Sequence, residues 1–317
     1  MNMNTPPNVP PGSPLDARAA APSTRSGTDP IYWSIRRELW ENRSLTIAPL
    51  AVAAFVLFVL LMVTAFTLPR KMRTLAALEP AQRHALVVGH SSMAPSMIMI
   101  ITILVGIFYS LDALYGERRD RSILFWKSLP VSDRTTVLSK AAIPLVILPL
   151  FGFALSVATQ VILLLWSTVV LMGSGVSPAP LWAELRFIEM LVVLLYGIGA
   201  FTLWHAPMYA WLLLVSGWAR RMPVLWAFVP LVAVSMVERM AFHTSYIGSF
   251  YRYRFMGALP IAFNVTPAKD GHFGIIDRFT QLNPARFLST PDLWLGLLVA
   301  AAFLAAAVRL RRYREPI

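Results

Sequence analysis

The sequence has 317 residues, of which 57% are hydrophobic and 14% are charged. Soluble domains carry about 25% charged residues, so this chain has too little polar surface to cover a water-exposed globule. The net charge of +12 suits anionic headgroups on the cytoplasmic face of a membrane. Because the chain contains no cysteine, disulfides and thiolate metal sites are excluded.

The first 29 residues are rich in proline, alanine and serine and contain no apolar core of the kind a secretory signal needs. Such a composition cannot bury enough apolar surface to fold. We therefore predict a disordered cytoplasmic tail over 1–29 and one membrane domain over 30–317.

An amphipathic N-terminal helix is predicted next, in the segment TDPIYWSIRRELWENR. Apolar residues recur at helical spacing at Ile31, Ile35 and Leu39, beside Trp33 and Trp40. A helix of this pattern, with Arg36, Arg37 and Glu38 at other positions, is typical of segments that lie along the membrane surface. The alternative is a simple stop before the first membrane span.

Six uncharged runs predict membrane spans, since a helix that crosses the hydrocarbon needs about 20 mostly apolar residues. The runs predict spans at approximately 45–68, 91–112, 141–172, 188–219, 222–242 and 291–308. The fifth run has only 16 uncharged residues, so it must borrow flanking residues such as Ala241 and Phe242. The predicted fold class is an all-α polytopic membrane protein.

The orientation of the chain follows from its basic residues. Six spans place both termini on one side, and 17 of the 28 lysines and arginines fall on that side. Because cytoplasmic loops carry the excess of Lys and Arg, both termini are predicted to be cytoplasmic. The PRKMR segment after the first span, with Arg70, Lys71 and Arg73, works against this assignment.

Motifs of soluble enzymes are absent from the sequence. The five histidines form no HExxH pattern or close pair, and there is no GxxxxGK[ST] loop to hold a nucleotide. We therefore predict that the chain is not an enzyme and binds no cofactor or metal itself.

Ionisable residues inside spans mark ion pathways, and His205 lies within the fourth span. It could relay protons in an ion-coupled secondary transporter, or act with Glu189 or Glu238 in a membrane-embedded enzyme. Alternatively, His205 hydrogen-bonds across to a neighbouring segment. Arg186 and Glu189 are three residues apart, a spacing typical of an ion pair.

The most charged internal segment, YGERRDRSILFWKSLPVSD, lies between the second and third spans. Alternating charges precede a compact apolar patch formed by Ile123, Leu124, Phe125, Trp126 and Leu129. Pro130 then ends the helix, and Ser132 or Asp133 can cap the next one. Because an exposed apolar patch is costly in water, the segment predicts a short helix that inserts into a groove on a partner. The alternative is an interfacial helix resting on lipid.

Two segments carry a resemblance to a known family. LYGERRDRSILFWKSLPVSDRTTVLSK, from Leu114 to Lys140, resembles the cytoplasmic loop of ABC-2-type permeases, the membrane subunits of bacterial ATP-binding cassette exporters. NPARFLSTPDLW, from Asn283 to Trp294, leads into an alanine-rich span and a basic tail, and it resembles the end of the same family. With the N-terminal helix and six spans, the likeness covers roughly 30–317.

This resemblance implies a permease domain that pairs with a second copy or a sister permease in the bacterial inner (cytoplasmic) membrane. It implies two separate ABC ATPase subunits, which bind ATP and Mg, and export by alternating access. The aliphatic residues of the spans suit a hydrophobic or amphipathic substrate, although any bundle core would have the same composition. No nucleic acid partner is expected, and the outer segment 243–290 is expected to form short helices that cap the exit or dip back into the bilayer.

The family also implies where the ATPase would bind. The loop between the second and third spans would act as the cytoplasmic coupling helix, and the N-terminal helix would contact the same subunit. The implied coupling residues are Glu117, Arg118, Arg119, Asp120, Arg121, Ile123, Leu124, Phe125, Trp126, Lys127 and Leu129. The implied contacts on the N-terminal helix are Trp33, Arg36, Arg37, Glu38 and Trp40.

Overall fold

The computed structural model describes residues 30–74, 79–128, 131–264 and 276–313. The predicted tail over 1–29 lies outside this part. The described residues are helical and contain no strand, apart from one isolated bridge between Phe263 and Leu282. The prediction of an all-α fold is confirmed.

The helices are numbered here in chain order. They are α1 (Pro30–Glu41), α2 (Ser44–Thr74), α3 (Pro80–Asp112), α4 (Tyr115–Arg119), α5 (Ser122–Ser128), α6 (Asp133–Ala142), α7 (Leu148–Gly173), α8 (Ala179–Glu184), α9 (Phe187–Trp218), α10 (Pro223–Phe242), α11 (Tyr246–Met256), α12 (Ala258–Ala262), α13 (Pro284–Ser289) and α14 (Pro291–Tyr313). A π-helical turn, Ile143–Ile147, joins α6 to α7, and a 3-10 turn covers Phe279–Gln281.

Six helical segments in the described part of the chain are long and apolar enough to cross a membrane. They are Ser44–Thr74, Val87–Arg119, Asp133–Gly173, Phe187–Trp218, Pro223–Phe242 and Pro291–Tyr313. They coincide with the six predicted spans, so this is the architecture of a multi-pass membrane protein. The fifth span does use Ala241 and Phe242, as its short uncharged run requires.

Hydroxyl groups inside the spans are satisfied by the spans' own backbones. Thr102, Ser110, Ser156 and Ser167 are buried, and each donates a hydrogen bond to the carbonyl four residues earlier. This matters because hydrocarbon offers no alternative partner to a polar group. The spans therefore bury these residues without leaving unpaired hydroxyls.

Small residues let the central helices approach closely, as is common in membrane bundles. Helices α2, α3 and α7 pack on one another, and α9 packs along α14. At Gly152 in α7, an added Cβ would lie 2.9 Å from the Oγ1 atom of Thr102 in α3. A larger residue at this position would push α7 away from α3.

Successive spans run in opposite directions, so the bundle has two distinct ends. Residues 112–128 and 131–140 lie at one end, here called the loop end, together with α1, the last turn of α9 and the last turn of α14. Residues 243–264 and 276–290 lie at the other, here called the far end. There Phe263 and Phe287 pack with Trp204 and Leu293 in an apolar core.

Candidate functional site

A buried cluster of charged side chains lies at the loop end. The Lys140 Nζ atom is 2.9 Å from Glu38 Oε1 and 3.1 Å from Glu117 Oε1. Arg311 pairs with the other carboxylate oxygen of Glu117. None of the four side chains is more than 9% exposed. These four residues, here called the ion cluster, contain two negative and two positive charges and join α1, α4, α6 and α14.

Three further side chains complete the ion cluster at its edges. Arg37 donates to Glu38 Oε1 at 2.9 Å, and the Tyr109 hydroxyl donates to Glu38 Oε2 at 2.9 Å. On the other side, Arg311 Nε lies 3.1 Å from Asp133 Oδ1. Glu38, which is 0% exposed, therefore has polar partners on both oxygens.

The local sequence of α6 explains how it supplies two members of this network. The Ser132 side chain accepts a hydrogen bond from the Thr135 amide and so fixes the start of the helix, as the sequence predicted. Asp133 and Lys140 are seven residues apart, which is two helical turns, and they share one face. That face meets Arg311 at its first turn and the two glutamates at its last.

The electrostatics keep Glu38 ionised. Burial alone would raise the pKa of its carboxyl group, but the charge of Lys140 and hydrogen bonds from Lys140, Arg37 and Tyr109 hold that pKa below its ordinary value. A carboxylate held in this state is a poor proton carrier near neutral pH. The ion cluster is therefore suited to tying helices together and is poorly suited to acid-base chemistry.

The junction between α3 and α4 is also fixed to the end of the fourth span. The backbone amides of Leu114 and Tyr115 both donate to the Ser216 hydroxyl at 2.9 Å. Arg118 Nη1 donates to the carbonyls of Gly217 at 2.8 Å and Ala219 at 3.1 Å. These carbonyls lie at a helix end, where intrahelical partners are missing. The segment is thus anchored to α9 as well as to the ion cluster.

A cavity of about 500 Å³ lies beside the ion cluster, between α4 and the junction of α1 with α2. Its polar lining comprises Glu41, Asn42, Ser44, Tyr109, Asp112, Glu117, Asp120, Ser122 and Lys140. Burial raises the pKa of Glu41 at the edge of this space.

The predicted coupling helix is two short helices, because Arg121 adopts a left-handed conformation (φ 57°) between α4 and α5. Five of the predicted coupling residues are exposed: Arg119, Asp120, Arg121, Leu124 and Phe125. Leu129 and the side chains of Trp126 and Lys127 lie outside the described residues.

The other three predicted coupling residues are buried. Glu117 belongs to the ion cluster, Arg118 bonds the end of α9, and Ile123 is 2% exposed. The prediction of an exposed apolar patch is therefore wrong for Ile123. Because the charges of Glu117 and Arg118 have partners within the chain, these two side chains are turned inward and do not form the outer surface of the loop.

The N-terminal helix has two different faces. Trp33 and Trp40 are exposed, and the Arg36 guanidinium lies over both indole rings, at 5.2 and 4.6 Å from their centroids. On the opposite face, Glu38 is fully buried in the ion cluster, and Arg37, at the border between the two faces, is partly buried. The location of α1 on a membrane surface stays a prediction.

His205 is buried and stacks on the Phe201 ring. Its Nδ1 atom lies 2.8 Å from the Phe201 carbonyl, and its Nε2 atom lies 3.2 Å from the Phe255 carbonyl in α11. The interpretation of His205 as a residue that bonds across to a neighbouring segment agrees with this geometry.

Glu189 and Glu238, the two carboxylates predicted as possible partners of His205, bond to other groups. Glu189 pairs with Arg186 at 2.7 Å, as the spacing predicted. Glu238 accepts hydrogen bonds from the backbone amides of Tyr246 and Ile247. The part of the chain that the structure describes contains no group of three or more His, Asp or Glu residues that could hold a metal ion.

The ion cluster was missed in the sequence because its members fall in four separate charged flanks. Lys140 and Arg311 were counted only as basic residues near span ends. One usable signal was present: Lys140 directly precedes the longest uncharged run, a place where a lone charge needs a partner.

Comparison of the chain with protein-family models, with curated proteins and with solved structures finds no match.

Proposed function

We propose that the chain is the permease subunit of an ATP-driven exporter of the ABC-2 type. In this proposal it has no nucleotide site of its own and works with two separate ATPase subunits that bind ATP and Mg. A second permease chain completes the path through a bacterial inner membrane. The observation that carries the proposal is that α4 is anchored to several spans by ion pairs and hydrogen bonds, while the adjoining helix α5 exposes apolar side chains.

The inner side supplies the mechanical connection that such a subunit requires. Glu117 on α4 is bonded to α6 through Lys140 and to α14 through Arg311. Separating buried charges of this kind leaves an uncompensated charge, at a cost of about 3–5 kcal/mol. A push on α4 is therefore transmitted to α1, α6 and α14 together.

The outer side supplies a surface for the ATPase. Leu124 is 59% exposed and Phe125 is 60% exposed on the short helix α5. The charged residues Arg119, Asp120 and Arg121 border them. Apolar anchors with a charged rim are the usual composition of a docking surface, and a rigid helix in a groove is a recurrent form of docking.

The loop end would face the cytoplasm, where ATP is available. The excess of lysine and arginine on the side of the termini supports this orientation. An ion-coupled transporter has less support, because both ring nitrogens of His205 face backbone carbonyls within the bundle.

The test is a pull-down of the tagged chain from detergent-solubilised membranes, with co-purifying ATPases identified by mass spectrometry through their nucleotide-binding motifs. The variant is Leu124→Ala with Phe125→Ala. Its matched control is Phe279→Ala with Leu288→Ala, two exposed apolar residues at the far end. We expect an ATPase with the wild type and the control, and none with the α5 variant.

Two outcomes would contradict the proposal in different ways. If no ATPase accompanies the wild type, the ATP-driven mechanism is wrong. If an ATPase accompanies the α5 variant as well as the wild type, α5 is not its docking surface.

A further inference from the structure

A second cavity, of about 410 Å³, lies near the far end between α9, α10, α11 and α14. Its lining is mostly apolar and aromatic: Pro207, Met208, Trp211, Leu231, Phe250 and Phe255, with Leu295, Val299 and Phe303 from α14. Cavities of this size and composition are typical of small-molecule sites. Whatever occupies this space must therefore be largely hydrocarbon.

One cationic side chain, Arg254, lines this apolar cavity. Its guanidinium lies 4.6 Å from the Trp204 ring centroid, and its Nη1 atom donates to the Asp292 backbone carbonyl at 3.2 Å. Its Nη2 atom is buried and has no hydrogen-bond acceptor among the described residues. Arg254 thus has a positive charge with an incomplete set of hydrogen bonds.

The nearest carboxylate does not complete that set. Asp292 also lines the cavity, but its Oδ2 atom accepts a hydrogen bond from the Tyr253 hydroxyl at 2.7 Å. Within the described part of the chain, Arg254 has no carboxylate within ion-pair distance. Arg remains charged in proteins. The charge of Asp292 acts on Arg254, but Nη2 has no acceptor, so an anion entering the cavity would find a charged donor that is still available.

The chain makes room for Arg254 at one specific position. At Gly296 in α14, an added Cβ would collide with the Nη2 atom of Arg254 and lie 2.8 Å from its Cζ atom. Any side chain there would displace the guanidinium. The arrangement therefore depends on a glycine on one helix and an arginine on another.

We propose that this cavity binds an amphipathic anion, with its hydrocarbon part among the aromatic residues and its carboxylate or phosphate head at Arg254. The head group would supply the acceptor that Nη2 lacks, after a small shift of the guanidinium away from Gly296. Hydrogen bonds between a guanidinium and an anion are stronger than hydrogen bonds between neutral groups. The site concerns binding alone and does not depend on an ATPase, so it can stand if the proposed function fails.

The test measures equilibrium binding of radiolabelled dodecanoate to the purified chain in phosphatidylcholine nanodiscs, and the same measurement is made with neutral dodecanol. Binding to empty nanodiscs is subtracted from each value. The variants are Arg254→Gln and Gly296→Ala. The matched control is Arg252→Gln, because Arg252 is an exposed arginine on the same helix that does not line the cavity.

We expect the wild type to bind dodecanoate more tightly than dodecanol. Arg254→Gln and Gly296→Ala should each weaken dodecanoate binding by about tenfold or more and leave dodecanol binding unchanged. Arg252→Gln should behave as the wild type. Unchanged dodecanol binding shows that the cavity of each variant is intact, and Gly296→Ala keeps the test decisive if Arg254→Gln does not fold.

Three results would overturn the proposal: equal binding of the acid and the alcohol by the wild type, wild-type dodecanoate affinity in both variants, or an equal loss in Arg252→Gln. Repeating the measurement with phosphatidylglycerol in the nanodiscs identifies the source of the anion. If phosphatidylglycerol lowers dodecanoate binding, the occupant is a membrane lipid. If dodecanoate binding is unchanged, the occupant is a free amphiphile.

Discussion

Glu38 and Lys140 are 102 residues apart in the chain, yet they form an ion pair of 2.9 Å in which neither side chain is more than 4% exposed. Helix α1, which precedes the first span, is thereby bonded to the helix that begins the third. Because both charges are buried, each depends on the other to offset its loss of hydration.

Removal of one partner should therefore destabilise the chain strongly. We expect Lys140→Met to lower the free energy of unfolding by about 3–5 kcal/mol, because it leaves Glu38 and Glu117 close together without the lysine between them. The double variant Glu38→Gln with Lys140→Met should lose less than the sum of the two single variants. Thermal unfolding in detergent, arranged as a double-mutant cycle, measures this coupling.

The control pair is Arg186 and Glu189, whose arginine side chain is 65% exposed. The same cycle on this pair should give a coupling of about 0.5 kcal/mol or less. Additive losses at Glu38 and Lys140 would contradict the structural role given to the ion cluster.

Arg311→Ala should separate docking from transport, if the proposed function is right. The exposed surface of α5 is untouched, so the ATPase should still co-purify with the variant. Transport of substrate per ATP hydrolysed should fall about tenfold, since the connection from Glu117 to α14 is lost. Arg309→Ala, at an exposed position on the same helix, is the control. If Arg311→Ala and Arg309→Ala transport the same amount of substrate per ATP hydrolysed, α14 receives no motion through Arg311.

The ion cluster also predicts a dependence of stability on pH. The pKa of Glu38 is below its ordinary value of 4.5 in the folded chain. The stability that Glu38 contributes is therefore fully present above pH 4.5, which is its pKa in the unfolded chain. This stability is lost as the pH falls through the lower pKa of the folded chain. We expect the melting temperature of Glu38→Gln to fall less steeply than that of the wild type below pH 4.5.

Glu41 complicates this measurement, because burial raises its pKa. A raised carboxyl pKa makes stability decrease as pH rises above the unfolded value, the opposite sign to Glu38. The comparison is best made in a Glu41→Gln background, which removes that contribution. Identical pH profiles with and without Glu38 in this background would contradict the prediction.

At the far end, Glu238 should control the order of α11. Its carboxylate accepts from the Tyr246 amide at 2.6 Å, the Ile247 amide at 2.9 Å and the Thr244 hydroxyl at 2.9 Å. Loss of such a cap costs about 1 kcal/mol, so Glu238→Ala should speed amide exchange at the start of α11 several-fold. Hydrogen exchange with mass spectrometry measures this, with Glu189→Ala as the control. An unchanged rate over 246–250 would show that other contacts hold α11.

The six spans were predictable because each is encoded by a continuous run in the sequence. The thickness of the hydrocarbon core sets how long an uncharged segment must be to cross it. This length requirement does not depend on which helices are neighbours. Span ends were less predictable. Helix α14 continues to Tyr313, five residues beyond the predicted end at 308, and its last turn is held at the bundle by the ion pairs of Arg311 with Glu117 and Asp133.

The ion cluster was not predictable in the same way, because it depends on which helices meet. Glu117 and Arg118 were interpreted as surface charges on a loop, which is the usual place for charges. Their inward orientation depends on Lys140 and Arg311, from later segments of the chain. The docking role of α5 stays a prediction, since its exposed residues show a surface and no partner.

The position of Arg311 also bears on how the protein is made. Glu117 precedes its arginine by 194 residues, and Arg311 belongs to the last of the six described spans. If the spans enter the membrane in the order of synthesis, Lys140 reaches Glu117 with the third span, but Asp133 and the second carboxylate oxygen of Glu117 wait for Arg311. Until then, these oxygens are more stable in contact with water than buried among helices. Insertion of the sixth span would thus be the step of biogenesis that draws the segment between the second and third spans into its final place.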